Sequence, residues 1–187
     1  MVDLYWLPLG AGGHSVRING LVYEAIAATA QRRPRRALYH SALEVGPEPF
    51  AIEMAPVWNV RDADRGVVVE GAVGSRLLGR FDLFRYEVRC WRGGRIPDIG
   101  EAVGGPRRLT DDPVIAARVL ELVPSVPPLV WGRDELGTGD MWNSNSVIAW
   151  LVCRAGIDID GVHPPAGGRA PGWRAGVVAA RGRSTGR

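Results

Sequence analysis

A chain of 187 residues, 46% hydrophobic and 23% charged, can bury one substantial core and is short enough for a single domain, expected over residues 1–178 with a disordered basic tail at 179–187. Its net charge of +3 sits largely in Arg32-Arg33-Pro34-Arg35-Arg36 and in the tail from Arg181. Without a basic face interleaved with aromatics, this disfavours a nucleic-acid partner. No run approaches the roughly 18 apolar residues of a membrane span, and Asp3 and Pro8 interrupt any signal-peptide pattern, so the chain reads as cytoplasmic.

With 25 Gly and 14 Pro, many turns and short elements are expected. The first is a hairpin, His14–Ile18 and Leu21–Ile26 about Asn19-Gly20, where both turn positions tolerate positive φ. Leu38–Val45 alternates as a strand, with Tyr39, Ser41, Leu43 and Val45 on one face and His40, Ala42 and Glu44 on the other. Gly46-Pro47-Glu48-Pro49 turns the chain into a return strand at Phe50–Met54, and further strands are expected at Gly66–Val73 and Leu83–Trp91. Thr110-Asp111-Asp112-Pro113 caps a helix through Val123, stopped by Pro124. A second helix begins near Asp140–Asn143, runs through Val152 and stops at Gly156, followed by coil and a short terminal helix or strand. Strands first and helices later predict an α+β fold.

The segment with most chemical content is Trp142-Asn143-Ser144-Asn145-Ser146-Val147-Ile148. On the residues alone it reads as a helix start, because Asn and Ser side chains accept from free first-turn amides. The segment Tyr39-His40-Ser41-Ala42-Leu43-Glu44-Val45 supplies a histidine on a strand earlier in the chain.

Together, in this order, the two segments resemble those of the circularly permuted papain-like hydrolases, which include the PPPDE group and relatives of lecithin retinol acyltransferase. The resemblance implies a permuted papain-like fold, an antiparallel sheet packed against a few helices. It places His40 on the family's base, Asn143 and Asn145 on the residues flanking the nucleophile, and Ser144 on the nucleophilic cysteine itself. A serine there needs an aligned base and an oxyanion hole, because its hydroxyl is far less acidic than a thiol. Helix-start amides, with Asn143 and Asn145 as positioning or oxyanion groups, are the candidate donors. Glu53 is the candidate to orient His40, since Phe50, Ile52 and Met54 occupy the opposite face of its strand. An exposed edge carboxylate is the other reading of Glu53.

His14, after Gly10-Ala11-Gly12-Gly13, is an alternative base. The glycines show no phosphate-loop pattern, and no cofactor is implied. Three histidines without an acidic cluster at ligand spacing, and only Cys90 and Cys153, give no expectation of a metal site or disulfide framework. Cys153 lies nine residues beyond Ser144, on the opposite face of the helix at about 100° per residue. Cys90 sits in an alternating strand and reads as a core residue. His163 before Pro164-Pro165 reads as a loop residue. Of the seven tryptophans, Trp142 and Trp150 are expected to anchor the second helix to the sheet. Two functions follow: a hydrolase or acyltransferase acting on an amide or ester of a peptide or acyl-bearing small molecule through Ser144 and His40, or a non-catalytic binding or scaffold module that keeps the cleft.

Overall fold

The structure is a computed structural model that describes residues 1–9, 34, 36–57, 65–94, 96 and 98–182. Six strands form one antiparallel sheet: β1 (Val2–Pro8), β2 (Tyr39–Val45), β3 (Phe50–Pro56), β4 (Val67–Ala72), β5 (Arg85–Arg92) and β6 (Arg107–Thr110). Their order is β4-β5-β3-β2-β1-β6. Among the described residues the helices are α1 (Pro113–Leu122), α2 (Ser144–Arg154) and α3 (Trp173–Arg181). The α+β class is thus as expected.

The β2–β3 hairpin follows the sequence pattern, with Leu43 opposite Ile52 and Val45 opposite Phe50 about the turn at residues 46–49. Asp112 caps α1 by accepting from the Val114 amide at 2.7 Å, with Pro113 at the first helical position, where its missing N–H costs nothing. The strand expected over Leu83–Trp91 begins two residues later, because residues 82–84 form a 3₁₀ turn. Val2–Pro8 and Arg107–Thr110 are strands that the sequence pattern does not announce. The expected tail boundary at 179 also shifts, since α3 continues through Arg181, whose guanidinium lies 3.7 Å from Asp160. The Asn19-Gly20 hairpin, the Arg32–Arg33 pair and Arg35, Trp58, His14 and residues 183–187 lie outside the described residues.

The two faces of the sheet carry different chemistry. One face bears Val2, Leu4, Trp6, Leu43, Val45, Ile52, Met54, Tyr86 and Val88, and packs with α1, α2 and α3 into the main core. Trp142 and Trp150 both belong to it, as expected, and Trp6 meets Trp173 of α3 with ring centroids 5.2 Å apart. On the other face, Tyr5, Leu7, Ala42 and Ala51 pack with Ile96 of the β5–β6 connection in a smaller cluster. The same face carries buried charge. Arg89 donates to Glu87 at 3.0 Å, to Glu53 at 3.2 Å and to the Pro56 carbonyl at 3.2 Å, while Arg65 donates to Glu87 at 2.7 Å.

The helices α2 and α3 cross closely. Gly176 permits this: a Cβ there would stand 2.1 Å from the Ser146 carbonyl oxygen. Cys90 packs against the main core, and burial pushes its thiol up to about 11. No helix among the described residues is long and apolar enough to cross a membrane.

Candidate functional site

The sequence segments around His40 and Ser144 do meet, and Asn145 is the residue that joins them. Its side chain, 2% exposed, accepts from the Ser41 hydroxyl at 2.8 Å and donates to the Tyr39 carbonyl at 2.9 Å. It also donates to the Pro171 carbonyl at 2.8 Å. The first turn of α2 is thereby fastened to the two residues on either side of His40 and to the turn that leads into α3.

Asn143 is the N-cap of α2. Its Oδ1 accepts from the Asn145 amide at 2.9 Å and the Ser146 amide at 3.3 Å, while its Nδ2 donates to the Pro171 carbonyl at 2.8 Å. Ser146 completes a capping box by accepting from the Asn143 amide at 3.0 Å and donating to the Gly172 carbonyl at 2.7 Å. Gly172 has φ of 90°, and a Cβ there would fall 2.1 Å from Asn143 Oδ1, so only glycine lets the turn approach the cap this closely. Asp140 holds the same turn by accepting from the Gly172 amide at 2.7 Å and the Met141 amide at 3.1 Å. Burial holds its carboxyl above the usual range.

The two proposed reacting residues are not brought together in the same way. Ser144 is the first residue of α2, nearly buried at 8% exposure, and its helix lies on the main-core face of the sheet. Ser41 faces that helix, as its bond to Asn145 shows. Strand alternation therefore turns His40 to the other face, and the register agrees. His40 stands opposite Leu7, which belongs to the Tyr5–Ala42–Ala51 cluster. No hydrogen bond joins His40 to Ser144 among the described residues. Burial lowers the imidazole to about 4, so it is neutral at pH 7.

Glu53 does share the His40 face, as its strand alternation implies, but its partner is Arg89. The two are paired across β3 and β5, with Arg89 Nη1 to Glu53 Oε1 at 3.2 Å. Burial pushes the Glu53 carboxyl up, and Arg89 opposes that. At 9% exposure it is not the open edge carboxylate of the alternative reading. Several of the groups suited to an oxyanion hole are committed elsewhere: the Asn145 and Ser146 amides point to Asn143, and both asparagine side-chain amides bind the Pro171 carbonyl.

Sequence reasoning overlooked the Arg89–Glu87 pair. Its signal was present as Glu87-Val88-Arg89, two opposite charges two apart on one face of an aromatic-rich strand. The role of Ser41 against Asn145 has no short-range signature, since the two residues are 104 apart. Among the described residues no group of three or more His, Cys, Asp and Glu side chains is placed to hold a metal ion. Comparison with family models, with curated proteins and with solved structures finds no match to this chain.

Proposed function

We propose that the chain is a non-catalytic binding or scaffold module whose helix start, though similar to a papain-like nucleophile segment, serves as a structural clasp. The observation that carries this reading is the strand register. Ser41 meets the helix through Asn145, so its neighbour His40 faces away from Ser144. A serine nucleophile needs an aligned base to take its proton, and the strand alternation that turns His40 to the other face speaks against His40 in that role. The commitment of the Asn145 and Ser146 amides to the cap speaks likewise against their serving an oxyanion. The clasp supplies a sufficient reason for Asn143, Asn145 and Ser146, each of which satisfies backbone groups of a neighbouring segment.

The hydrolase or acyltransferase reading keeps one point in its favour. The first turn of α2 lies against the residues that flank His40, which is where the permuted papain-like pattern brings the two motifs. A serine-directed fluorophosphonate separates the readings. The clasp predicts no labelling of Ser144 and no ester hydrolysis that depends on it. Labelling at Ser144 that disappears in His40→Ala would establish the hydrolase instead.

A further inference from the structure

The sheet ends differently at its two edges. β6 carries Arg107 and Arg108, both exposed, and charge on an edge strand discourages pairing with other chains. β4, at the opposite edge, carries Val67 and Val68, also exposed. Its outer rim is covered in part: the Trp131 amide donates to the Ala72 carbonyl, and the Gly74 amide to the Trp131 carbonyl, each at 2.9 Å. Backbone alternation turns the Glu70 N–H and C=O the same way as those of Ala72, and no strand meets them among the described residues.

Two 3₁₀ turns, Arg76–Arg80 and Asp82–Phe84, stand beside this open stretch. They present Leu77, Leu78, Phe81 and Leu83 to solvent, Leu77 at 82% exposure. A single exposed leucine is ordinary, but four large apolar side chains within seven residues mark a contact surface. Gly79 seats the first turn on β4, since a Cβ there would stand 2.8 Å from Ala72 Cβ. A groove of about 330 Å³, lined by Glu70, Ala72, Gly79, Pro128 and Val130 among others, leaves the edge room for a partner.

Charge selects that partner. Arg76 pairs with Glu135 at 2.8 Å, and Arg85 pairs with Glu70 and with Asp82. Arg133 and Asp134 bind backbone groups of the adjoining loops. With Arg80, four arginines face four carboxylates, so neither sign is in excess. An anionic membrane, a nucleic acid or a strongly charged peptide gains no net attraction here. Two groups are poorly matched within the chain. Among the described residues Arg80 meets the Phe81 ring alone, at 5.0 Å, and Asp82, 3.4 Å from Arg85, is largely exposed. A second copy of the chain supplies together a bare antiparallel edge, an apolar patch and the reciprocal Arg80 and Asp82 charges.

We propose that the chain forms a two-fold dimer in which the β4 strands of two copies pair antiparallel about an axis near Val69, with the Leu77–Leu83 turns packed across the interface. That register sets Glu70 against the partner's Val68 instead of a second Glu70, because like charges directly opposite repel. It closes both open stretches at once. β5 and β3 separate this edge from β2, so the dimer does not depend on how Ser144 is read.

Sedimentation equilibrium of the full chain, from low micromolar to near-millimolar concentration, should fit a monomer–dimer equilibrium. Leu77→Asp and Leu83→Asp should each weaken it about tenfold or more, since each sets a carboxylate into the apolar contact. The Glu70 amide should exchange hydrogen about tenfold more slowly once dimer predominates. Val114→Asp, at an exposed apolar residue of α1, should leave the dimer unchanged. Urea midpoints check that each variant is folded. A monomer at every concentration, a dimer that withstands both leucine changes, one weakened equally by Val114→Asp, or Glu70 exchange indifferent to concentration would each overturn the proposal. Co-sedimentation of a monomeric chain with phosphatidylcholine–phosphatidylserine vesicles, lost in Leu77→Asp, would overturn it in favour of a membrane surface.

Discussion

Asn145→Ala is the sharpest perturbation of the clasp. The substitution removes three buried hydrogen bonds at once, to the Ser41 hydroxyl at 2.8 Å, the Tyr39 carbonyl at 2.9 Å and the Pro171 carbonyl at 2.8 Å. The Pro171 oxygen keeps a second donor in Asn143 Nδ2, so its loss is partial. The Ser41 hydroxyl, on a residue 1% exposed, loses its acceptor. At about 1 kcal/mol per bond, with a further penalty where a buried partner is left unmet, the loss comes to about 3–4 kcal/mol. For a chain of this length, at about 2–4 °C per kcal/mol, that corresponds to a fall in Tm of roughly 6–16 °C. Urea denaturation gives the free energy directly, provided the slope with urea is unchanged. Ser41→Ala alone should cost about 1 kcal/mol, and the double variant should fall short of the sum because the two changes remove one shared bond. A loss below about 1 kcal/mol for Asn145→Ala, or strict additivity with Ser41→Ala, would refute the clasp.

Three other changes follow from the same reasoning. Arg89→Met should cost about 3–5 kcal/mol in urea unfolding, because it leaves the Glu53 carboxylate buried without its partner; a loss near zero would show that the charges are solvated in the folded state. His40 has its folded-state value lowered to about 4, below its ordinary 6.5, so the unfolded chain takes up a proton first and stability falls as pH drops from about 6.5 towards 4. Discounted for partial exposure, this loss is about 2 kcal/mol, and the pH 7 to pH 4.5 difference in urea midpoint should shrink in His40→Gln. Gly176→Ala gains helix propensity of about 1 kcal/mol but forces α2 and α3 apart, and a net loss of about 1–3 kcal/mol is expected by thermal unfolding; a stabilised variant would mean that the crossing is looser than it appears.

Part of the sheet was legible because β2 alternates in residue type and the Gly46-Pro47-Glu48-Pro49 turn marks the start of its return strand β3. β1 escaped because it is central and buried nearly throughout, so Val2, Leu4, Tyr5, Trp6 and Leu7 form an apolar run with no alternation to read. β6 escaped for the opposite reason: Arg107-Arg108 gives it no apolar signal. At the candidate site, the alternation of β2 was readable, but which face would receive α2 was not. That choice is made by contacts more than 100 residues apart, such as Ser41 with Asn145 at a separation of 104. Placing His40 therefore required the tertiary structure.

The position of β1 has a consequence for how the chain reaches this state. Its two neighbours are β2 and β6, so Asp3 must find Arg108 across a separation of 105 residues before its second edge is filled. Until then a strand of largely apolar residues presents unpaired N–H and C=O groups, a template for pairing with other chains. Such distant pairing places refolding on the slow side, in the millisecond-to-second range typical of sheet-rich domains. Dilution and low temperature during refolding should accordingly raise the yield of native protein, because they slow encounters between chains whose β1 edge is still open.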